Sequence, residues 1–239
     1  PSVDKLSAIQ RKPSITLLDH KGRKVAEFGD VYGVPVQLNQ LPKHLPRAVV
    51  ATEDRRFYSH YGVDPIGLTR ALVNNLWAGR IVQGGSTISQ QLAKNVFLTH
   101  QRTLKRKVQE FLLALWLEAN FSKDQILTLY LNRVYLGAGA YGVDAAARRY
   151  FSKPAAKVNL AEAAMLAGLL KAPSRLAPTR NLKAARARAA VVLNNMVDVG
   201  FIEPAAARAA KTKPAGLRRG RGGAVQPARS EWHGIEPKP

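Results

Sequence analysis

Residues 104–119, LKRKVQEFLLALWLEA, decide the fold class of this chain. Their apolar side chains recur at every third or fourth position, and this spacing is typical of one face of an α-helix. The spacing predicts an amphipathic helix whose apolar stripe consists of Leu104, Val108, Phe111, Leu112, Leu115, Trp116 and Ala119. The fold is therefore expected to be built mainly from helices.

Helical patterns extend from this stretch in both directions, from about residue 46 to residue 211. The expected boundaries are a capping box at Ser122 and Gln125, stops at Gly137 and Gly200, an end before Pro173 and a start at Pro204. Residues 15–28 instead indicate two short strands around an Asp-His-Lys-Gly turn. We predict a mainly α protein with a small β element near its N-terminus.

The chain is expected to have three parts. Residues 1–45 are predicted to form an N-terminal lead-in with a short β-hairpin, and residues 46–212 a helical domain. Residues 213–239 are rich in Gly, Pro and Arg without any period, which indicates a flexible basic tail or linker. The chain begins at Pro1, with neither a signal peptide nor a run of eighteen apolar residues. We therefore expect a trimmed chain whose parent protein can still carry an anchor.

The composition indicates an anionic partner. Lys and Arg number 37 and Asp and Glu 16, which gives a net charge of +21. This charge favours nucleic acid, a phospholipid surface or a phosphorylated substrate as the partner. The cations are spread along the chain and form no recognisable nucleic-acid module, so nucleic acid is not expected as a partner. The absence of cysteine excludes disulfides and thiolate metal sites.

Three familiar motifs do not fit their usual context. Residues 137–142 match G-x-G-x-x-G but follow a helical pattern, whereas a dinucleotide fingerprint requires a strand before it. Residues 2–5 match S-x-x-K at a chain terminus, and no K-T-G follows. There is no H-E-x-x-H, and the five histidines are scattered. We expect neither an organic cofactor nor a dedicated zinc site.

Residues 53–62, EDRRFYSHYG, begin with two adjacent carboxylates. One interpretation is a solvated acidic pair next to a helix. The pair follows the apolar run AVVA, however, which indicates that it is at least partly buried. Partly buried carboxylates are suited to proton transfer, so this segment is a candidate for general acid or base chemistry.

If residues 84–95, GGSTISQQLAKN, form a helix, their apolar and polar side chains fall on opposite sides of it. Ile88, Leu92, Ala93 and Val96 fall on one side, and Thr87, Gln91, Lys94 and Asn95 fall on the other. The two glycines allow close approach of a ligand, and a helix start with a nearby lysine is a ready phosphate site. An ordinary amphipathic surface helix is equally compatible with the pattern.

Arg106 and Glu110 are four residues apart and share a helix face, with Arg102 one turn earlier if the helix begins there. Either they form an ordinary ion pair, or Glu110 is a carboxylate among cations that faces an anionic leaving group. The sequence leaves both open. Two separated glutamates, a cationic helix pair and a glycine-led helix start are together suited to sugar transfer from a phosphate-activated donor.

Five segments stand in the order of the motifs of the peptidoglycan glycosyltransferases: EDRRFYSHYG, GGSTISQQLAKN, RKVQEFLLALWLE, KDQILTLYLNRVYLG and RAAVVLNNM. The chain resembles this family, glycosyltransferase family 51, over roughly residues 30–200. The family comprises the transglycosylase domain of class A penicillin-binding proteins and the monofunctional transglycosylases. The resemblance implies a lysozyme-like, two-lobed helical fold and a glycosyltransferase domain at residues 46–212.

The resemblance also implies roles for individual residues. By motif position, Glu53 resembles the general base that activates the acceptor hydroxyl, and Glu110 the second essential glutamate near the donor pyrophosphate. The predicted substrate-binding residues are Asp54, Phe57, His60, Arg70, Gly85, Ser86, Thr87, Gln90, Gln91, Lys94, Asn95, Arg102 and Arg106. The family also allows a divalent cation, Mg²⁺ or Mn²⁺, near the pyrophosphate, and the sequence leaves its ligands unknown.

The implied activity is polymerisation of lipid II into glycan strands, with inversion and release of undecaprenyl pyrophosphate. It takes place at the outer, periplasmic face of the bacterial cytoplasmic membrane. The expected partners are lipid II, the growing strand and the membrane surface, together with a transpeptidase domain and other cell-wall synthesis proteins. Residues 65–83 are either a core helix or a lipid-contacting jaw. The alternative function is a lytic transglycosylase or glycoside hydrolase acting on peptidoglycan.

Overall fold

A computed structural model of the protein describes residues 15–21, 24–28, 31–80, 84–98 and 103–217. The strands are β1 (Ile15–Leu18), β2 (Lys24–Phe28), β3 (Val31–Tyr32) and β4 (Ala140–Tyr141). The helices are α1 (His44–Glu53), α2 (Pro65–Trp77), α3 (Ile88–Phe97), α4 (Leu104–Asn120), α5 (Lys123–Arg133), α6 (Val143–Phe151), α7 (Leu160–Leu169), α8 (Pro173–Leu176), α9 (Leu182–Asp198) and α10 (Pro204–Thr212). The predicted mainly α fold is confirmed. Most of the predicted tail at 213–239 lies outside the described residues.

Within the described ranges, two small sheets accompany the helices. Strands β1 and β2 pair antiparallel with Ile15 opposite Phe28, which confirms the predicted N-terminal hairpin. Strands β3 and β4 pair parallel, with Val31 opposite Ala140. The second pair was not predicted, because each strand is only two residues long and carries no readable alternation.

The described residues divide into two compact units, in agreement with the predicted two-lobed fold. One unit consists of residues 53–130, and the other of residues 15–52 and 131–217. The unit at 53–130 contains helices α2, α3 and α4, and helix α5 begins in it. Within the described ranges, none of the helices combines the length and hydropathy required to cross a membrane.

The core of the second unit is built around α7. Asn159 caps this helix by accepting the backbone N–H of Glu162, and every residue from Ala161 to Leu169 is buried. Helix α7 packs against α9, which buries Ala185, Ala189, Val192, Leu193 and Met196. A helix that is apolar all round belongs in an interior, and α7 follows this rule.

In the unit at 53–130, α3 packs against α4. Ile88, Leu92 and Ala93 of α3 are fully buried, so the predicted apolar side of this helix does face the interior. Helix α4 has the predicted extent, but its interior face carries Glu110, Ala114, Leu117 and Glu118. The predicted apolar stripe lies largely on the exposed face, where Leu104 is 89% exposed and Leu112 57%.

Most of the predicted helix boundaries are confirmed, and one is wrong. Ser122 and Gln125 form the expected capping box, in which Ser122 Oγ accepts the Gln125 N–H at 3.2 Å. Gly200 follows α9 with a φ of +70°, and Pro204 begins α10. Helix α5, however, ends at Arg133 rather than at Gly137. The chain leaves the helix early because Val134 accepts a backbone hydrogen bond from Gly142.

Candidate active site

Glu53 is the last residue of α1 and is half-buried, as the apolar run before it predicted. Its Oε2 accepts a hydrogen bond from Nε2 of Gln91 on α3 at 2.9 Å. The Oε1 atom of Gln91 in turn accepts the hydroxyl of Tyr130 on α5 at 3.0 Å. The structure thus joins two predicted site residues, Glu53 and Gln91, and adds a tyrosine that the sequence patterns did not single out.

Burial raises the pKa of Tyr130 well above its ordinary value, and the negative charges of Glu53 and Asp54 raise it further. The phenol therefore keeps its proton at any pH at which the protein works. Its hydroxyl is a permanent hydrogen-bond donor to Gln91.

Asp54 has a different environment from its neighbour Glu53. Its carboxylate is buried, and Oδ2 accepts the backbone N–H of Ile88 at 3.1 Å. The ring Nε2 of His60 lies 2.9 Å from the same oxygen. A carboxylate at a helix N-terminus is stabilised by the helix dipole, so Asp54 ties the loop after α1 to the start of α3.

The start of α3 is closed by its own side chains. Thr87 Oγ1 donates to the carbonyl of Gly62 at 2.6 Å and accepts the N–H of Gln90 at 3.2 Å. Gln90 Oε1 accepts the N–H of Thr87, which completes a capping box. The prediction that this helix start offers open N–H groups to a phosphate is therefore wrong for Ile88 and Gln90, because protein oxygens already accept them.

The two glycines before α3 have different surroundings. A Cβ added at Gly85 would lie 2.7 Å from Cδ1 of Leu68, so the missing side chain lets α2 approach this segment. A Cβ at Gly84 would meet nothing within 4 Å. Close approach of a ligand thus remains a prediction for Gly84, whereas Gly85 has a packing reason.

A second cluster surrounds Glu110, whose carboxylate is buried on the interior face of α4. Lys107 Nζ lies 3.0 Å from Glu110 Oε2 and also donates to Ser86 Oγ at 3.0 Å. Arg106 Nε lies 3.2 Å from Glu110 Oε1. The predicted Arg106–Glu110 pair exists, and Lys107 is a further member, which its i,i+3 spacing to Glu110 could have indicated.

These contacts place both clusters around the beginning of α3. Ser86 precedes the N-cap residue and contacts Lys107, whereas Gln91, in the second turn, contacts Glu53. Ser86 and Gln91 are only five residues apart in the sequence. The Glu53 carboxylate and the cations around Glu110 therefore contact one short segment of the chain.

Other predicted site residues lie on exposed or half-buried positions. Arg70 of α2 and Asn95 of α3 are exposed, and Lys94 is half-buried. Among the described residues, the side chains of these three have no hydrogen-bond or ion-pair partner, so they are available to a ligand. Arg102 lies outside the described residues.

Phe57 is fully buried and contributes to the support of the site. The ammonium of Lys123, at the start of α5, lies 4.5 Å from the centre of its ring. The same Lys123 donates to the buried carboxylate of Glu118 at 2.7 Å, and Ser89 Oγ donates to it at 2.6 Å. This buried network connects α3, α4 and α5 to the turn that follows Glu53.

The described residues do not fit a metal ion held by side chains alone. They contain no group of three or more His, Cys, Asp or Glu side chains that could hold one. Both oxygens of Glu110 already lie within 3.2 Å of a cationic side chain, and Arg106 and Lys107 would repel a metal ion there.

The chain is similar to known proteins. The family model described as transglycosylase matches residues 21–197, which include both clusters. The chain belongs to the transglycosylase family. It is 48% identical over 201 residues to penicillin-binding protein 1A of Aquifex aeolicus, covering 84% of this chain and 28% of that protein. It is 46% identical over 202 residues to penicillin-binding protein 1A of Escherichia coli, covering 84% of this chain and 24% of that protein.

The fold of this transglycosylase is also similar to a solved structure. The crystal structure of penicillin-binding protein 1A from Haemophilus influenzae superposes with a TM-score of 0.55 at 25% identity, over 90% of this chain and 22% of that one. This transglycosylase chain thus spans about a quarter of the length of the curated relatives that it matches.

The described candidate site residues of this transglycosylase all fall in the unit at 53–130. The same unit carries two exposed apolar faces, which we call the α2 face and the α4 face. The α2 face consists of Ile66, Leu68, Leu72, Val73, Leu76 and Trp77, and the α4 face of Leu104, Val108, Phe111 and Leu112. The alternative of a core helix for residues 65–83 is wrong for α2, because only Gly67 and Ala71 of this helix are buried.

Proposed function

We propose that this transglycosylase polymerises lipid II into glycan strands with inversion, releasing undecaprenyl pyrophosphate. One observation supports the proposal above all: two groups lie near the start of α3. One is the Glu53 carboxylate, which Gln91 holds by a hydrogen bond, and the other is the cation cluster of Arg106 and Lys107 around buried Glu110. Inversion at a sugar carbon requires a base on one side and a stabilised leaving group on the other.

Glu53 is the general base in this proposal. The O–H bond of the acceptor sugar hydroxyl breaks, and its proton moves to the Glu53 carboxylate. The hydroxyl oxygen forms a bond to the anomeric carbon of the donor, while the bond from that carbon to the pyrophosphate oxygen breaks. The pyrophosphate leaves with the electron pair, so atoms and charges balance without another reactant.

The cations stabilise the departing pyrophosphate. Lys107, Arg106 and Lys94 present positive charge, and charge-assisted hydrogen bonds to phosphate oxygens are about twice as strong as neutral ones. A pyrophosphate leaves without being protonated by a strong acid, so Glu110 is not required as an acid. Its contacts support a holding role instead, in which it fixes the two cations at 3.2 and 3.0 Å.

We further propose that the α2 and α4 faces contact the lipid surface on which the substrate resides. Apolar side chains such as Trp77, which is 91% exposed, gain free energy by leaving water. Arg70 on α2 and Lys105 on α4 are exposed beside these faces and suit the level of anionic headgroups. The periplasmic face of the cytoplasmic membrane is the expected location.

The relatives that cover this chain are three to four times its length and are named penicillin-binding proteins. We propose that a transpeptidase domain accompanies this chain in a class A parent protein. A monofunctional parent remains the alternative. Other cell-wall synthesis proteins are expected as partners of the full-length protein.

The decisive experiment compares lipid II polymerisation by the unaltered chain and by Glu53→Gln. Removing a general base costs about a hundredfold or more in turnover, so the variant should form no measurable polymer while still binding donor. Glu203→Gln is the matched control, because Glu203 is an exposed carboxylate in the other unit. Substantial polymerisation by Glu53→Gln would contradict the assignment of the base.

A lytic enzyme or glycoside hydrolase is the competing function, since it too would use a glutamate. The cation cluster favours the transferase, because cleavage of a finished glycan releases no phosphate. Purified peptidoglycan incubated with the chain should keep its turbidity. Clearing of this peptidoglycan without polymer synthesis from lipid II would establish the hydrolytic function instead.

A further inference from the structure

We propose that Tyr130 is a positioning residue for Glu53 and acts through the amide of Gln91. The inference rests on the proposed role of Glu53 as the general base. Two hydrogen bonds link side chains of α5, α3 and α1. The Tyr130 hydroxyl donates to Gln91 Oε1 at 3.0 Å, and Gln91 Nε2 donates to Glu53 Oε2 at 2.9 Å. Tyr130 itself contacts no reacting atom.

The direction of this chain of hydrogen bonds follows from the chemistry of the groups. An ionised carboxylate only accepts hydrogen bonds, so Gln91 must turn its NH₂ group towards Glu53. Its carbonyl oxygen then points the other way, where Tyr130 offers the donor that this oxygen requires. A rotated amide would direct oxygen towards carboxylate oxygen and would leave the Tyr130 hydroxyl facing an NH₂ group. The carboxylate thus sets the amide orientation, and the Tyr130 hydroxyl holds the amide in place by donating to its oxygen.

The tyrosine is suited to this task because it is itself immobile. Its side chain is 1% exposed on α5, whereas Glu53 and Gln91 are half-buried at the edge of the site. Burial and the adjacent carboxylates also keep the hydroxyl protonated. The buried hydroxyl of Tyr130 therefore holds the Gln91 amide in one orientation, and the amide in turn holds the half-buried carboxylate of Glu53.

Loss of the Tyr130 hydroxyl should therefore affect the chemical step more than substrate binding. The carboxylate would sample rotations in which it does not meet the acceptor hydroxyl, and small displacements of a base cost large factors in rate. We expect Tyr130→Phe to lower kcat for lipid II polymerisation about tenfold or more, with KM for lipid II changed less than about twofold.

Tyr150→Phe is the matched control. Tyr150 is also fully buried, and its hydroxyl donates to the carbonyl of Leu136 at 2.9 Å, in the unit that does not contain the site residues. Both variants lose one buried tyrosine hydroxyl, so thermal unfolding should show comparable losses of stability. Only Tyr130→Phe should lose kcat. Equal kcat losses in the two variants would show a general structural effect and would overturn the proposal.

A double-substitution cycle tests whether Tyr130 acts through Gln91. Gln91→Met keeps the length of the side chain but removes both the donor and the acceptor. If the tyrosine acts only through the amide, Tyr130→Phe should cause no further loss of kcat in the Gln91→Met background. Losses that multiply independently would show that Tyr130 acts by another route, and the proposal would fail.

The pH dependence of kcat gives a further test, because a purely structural role of Tyr130 would leave it unchanged. An amide N–H that points at a carboxylate favours its ionised form. The acid-side midpoint of the pH–kcat profile should therefore rise by roughly half a unit in Tyr130→Phe. An unchanged midpoint would count against the proposal. Failure of the base assignment remains distinguishable, because in that case Glu53→Gln would itself retain activity.

Discussion

Helices α2 and α7 both carry many apolar side chains, but those of α7 are buried and most of those of α2 are exposed. In α7 every residue from Ala161 to Leu169 is buried, with α9 packed against it. In α2 only Gly67 and Ala71 are buried, while Leu76 is 70% exposed. Exposed apolar patches on a folded protein indicate a contact site. The apolar side chains of α7 therefore form part of the core of their unit, whereas those of α2 form an exposed surface of the other unit.

The largest expected effect comes from the same substitution made in both helices. Leu166→Ala in α7 removes a side chain that is 1% exposed, and we expect the free energy of unfolding to fall by about 2–5 kcal/mol. Leu76→Ala in α2 should change it by less than about 0.5 kcal/mol. Urea unfolding of both variants measures the difference. Similar losses in the two variants would contradict the exposed position of Leu76.

The next effect concerns membrane binding. Leu76→Ala should weaken binding of the chain to phospholipid vesicles roughly tenfold, because the removed methyl groups would no longer leave water on contact. Leu217→Ala is the matched control, an exposed leucine of the other unit. Vesicle sedimentation across a lipid titration measures both variants. If the control loses as much affinity as Leu76→Ala, the α2 face is not the lipid contact.

The smallest expected effect distinguishes the contribution of charge to membrane binding from that of apolar contact. Arg70→Gln should weaken binding to vesicles that contain anionic lipid about fivefold, since one basic residue near such a surface contributes about 1 kcal/mol. Binding to uncharged vesicles should remain unchanged. Arg208→Gln alters an exposed arginine on α10 and serves as control. A loss on uncharged vesicles would show that Arg70 contributes through packing instead.

The sequence could predict elements whose local signals agree with their packing. Helix α3 has a capping box at Thr87 and Gln90 and an apolar side that is buried, so both its existence and its face could be predicted. In α4 the helix could be predicted but its orientation could not. Its interior face carries Glu110 and Glu118, and buried ion pairs leave no apolar signal.

The site was predictable to a similar degree. Motif order identified Glu53, Gln91 and Glu110, and the structure joins Glu53 to Gln91 directly. It also turns Asp54 inwards, although Asp54 and Glu53 are adjacent in sequence. Tyr130 escaped notice because its partner Gln91 lies 39 residues away, which no local pattern records, whereas the i,i+3 spacing of Lys107 to Glu110 could have indicated Lys107.

The exposed α2 and α4 faces have a practical consequence for work with the isolated chain. In buffer without amphiphiles, these faces can leave water by contacting one another on neighbouring molecules. We therefore expect the apparent mass of the chain in solution to depend on its concentration and on added detergent. Detergent micelles would take the place of the lipid surface, so turnover of lipid II and monodispersity should be optimised together rather than separately.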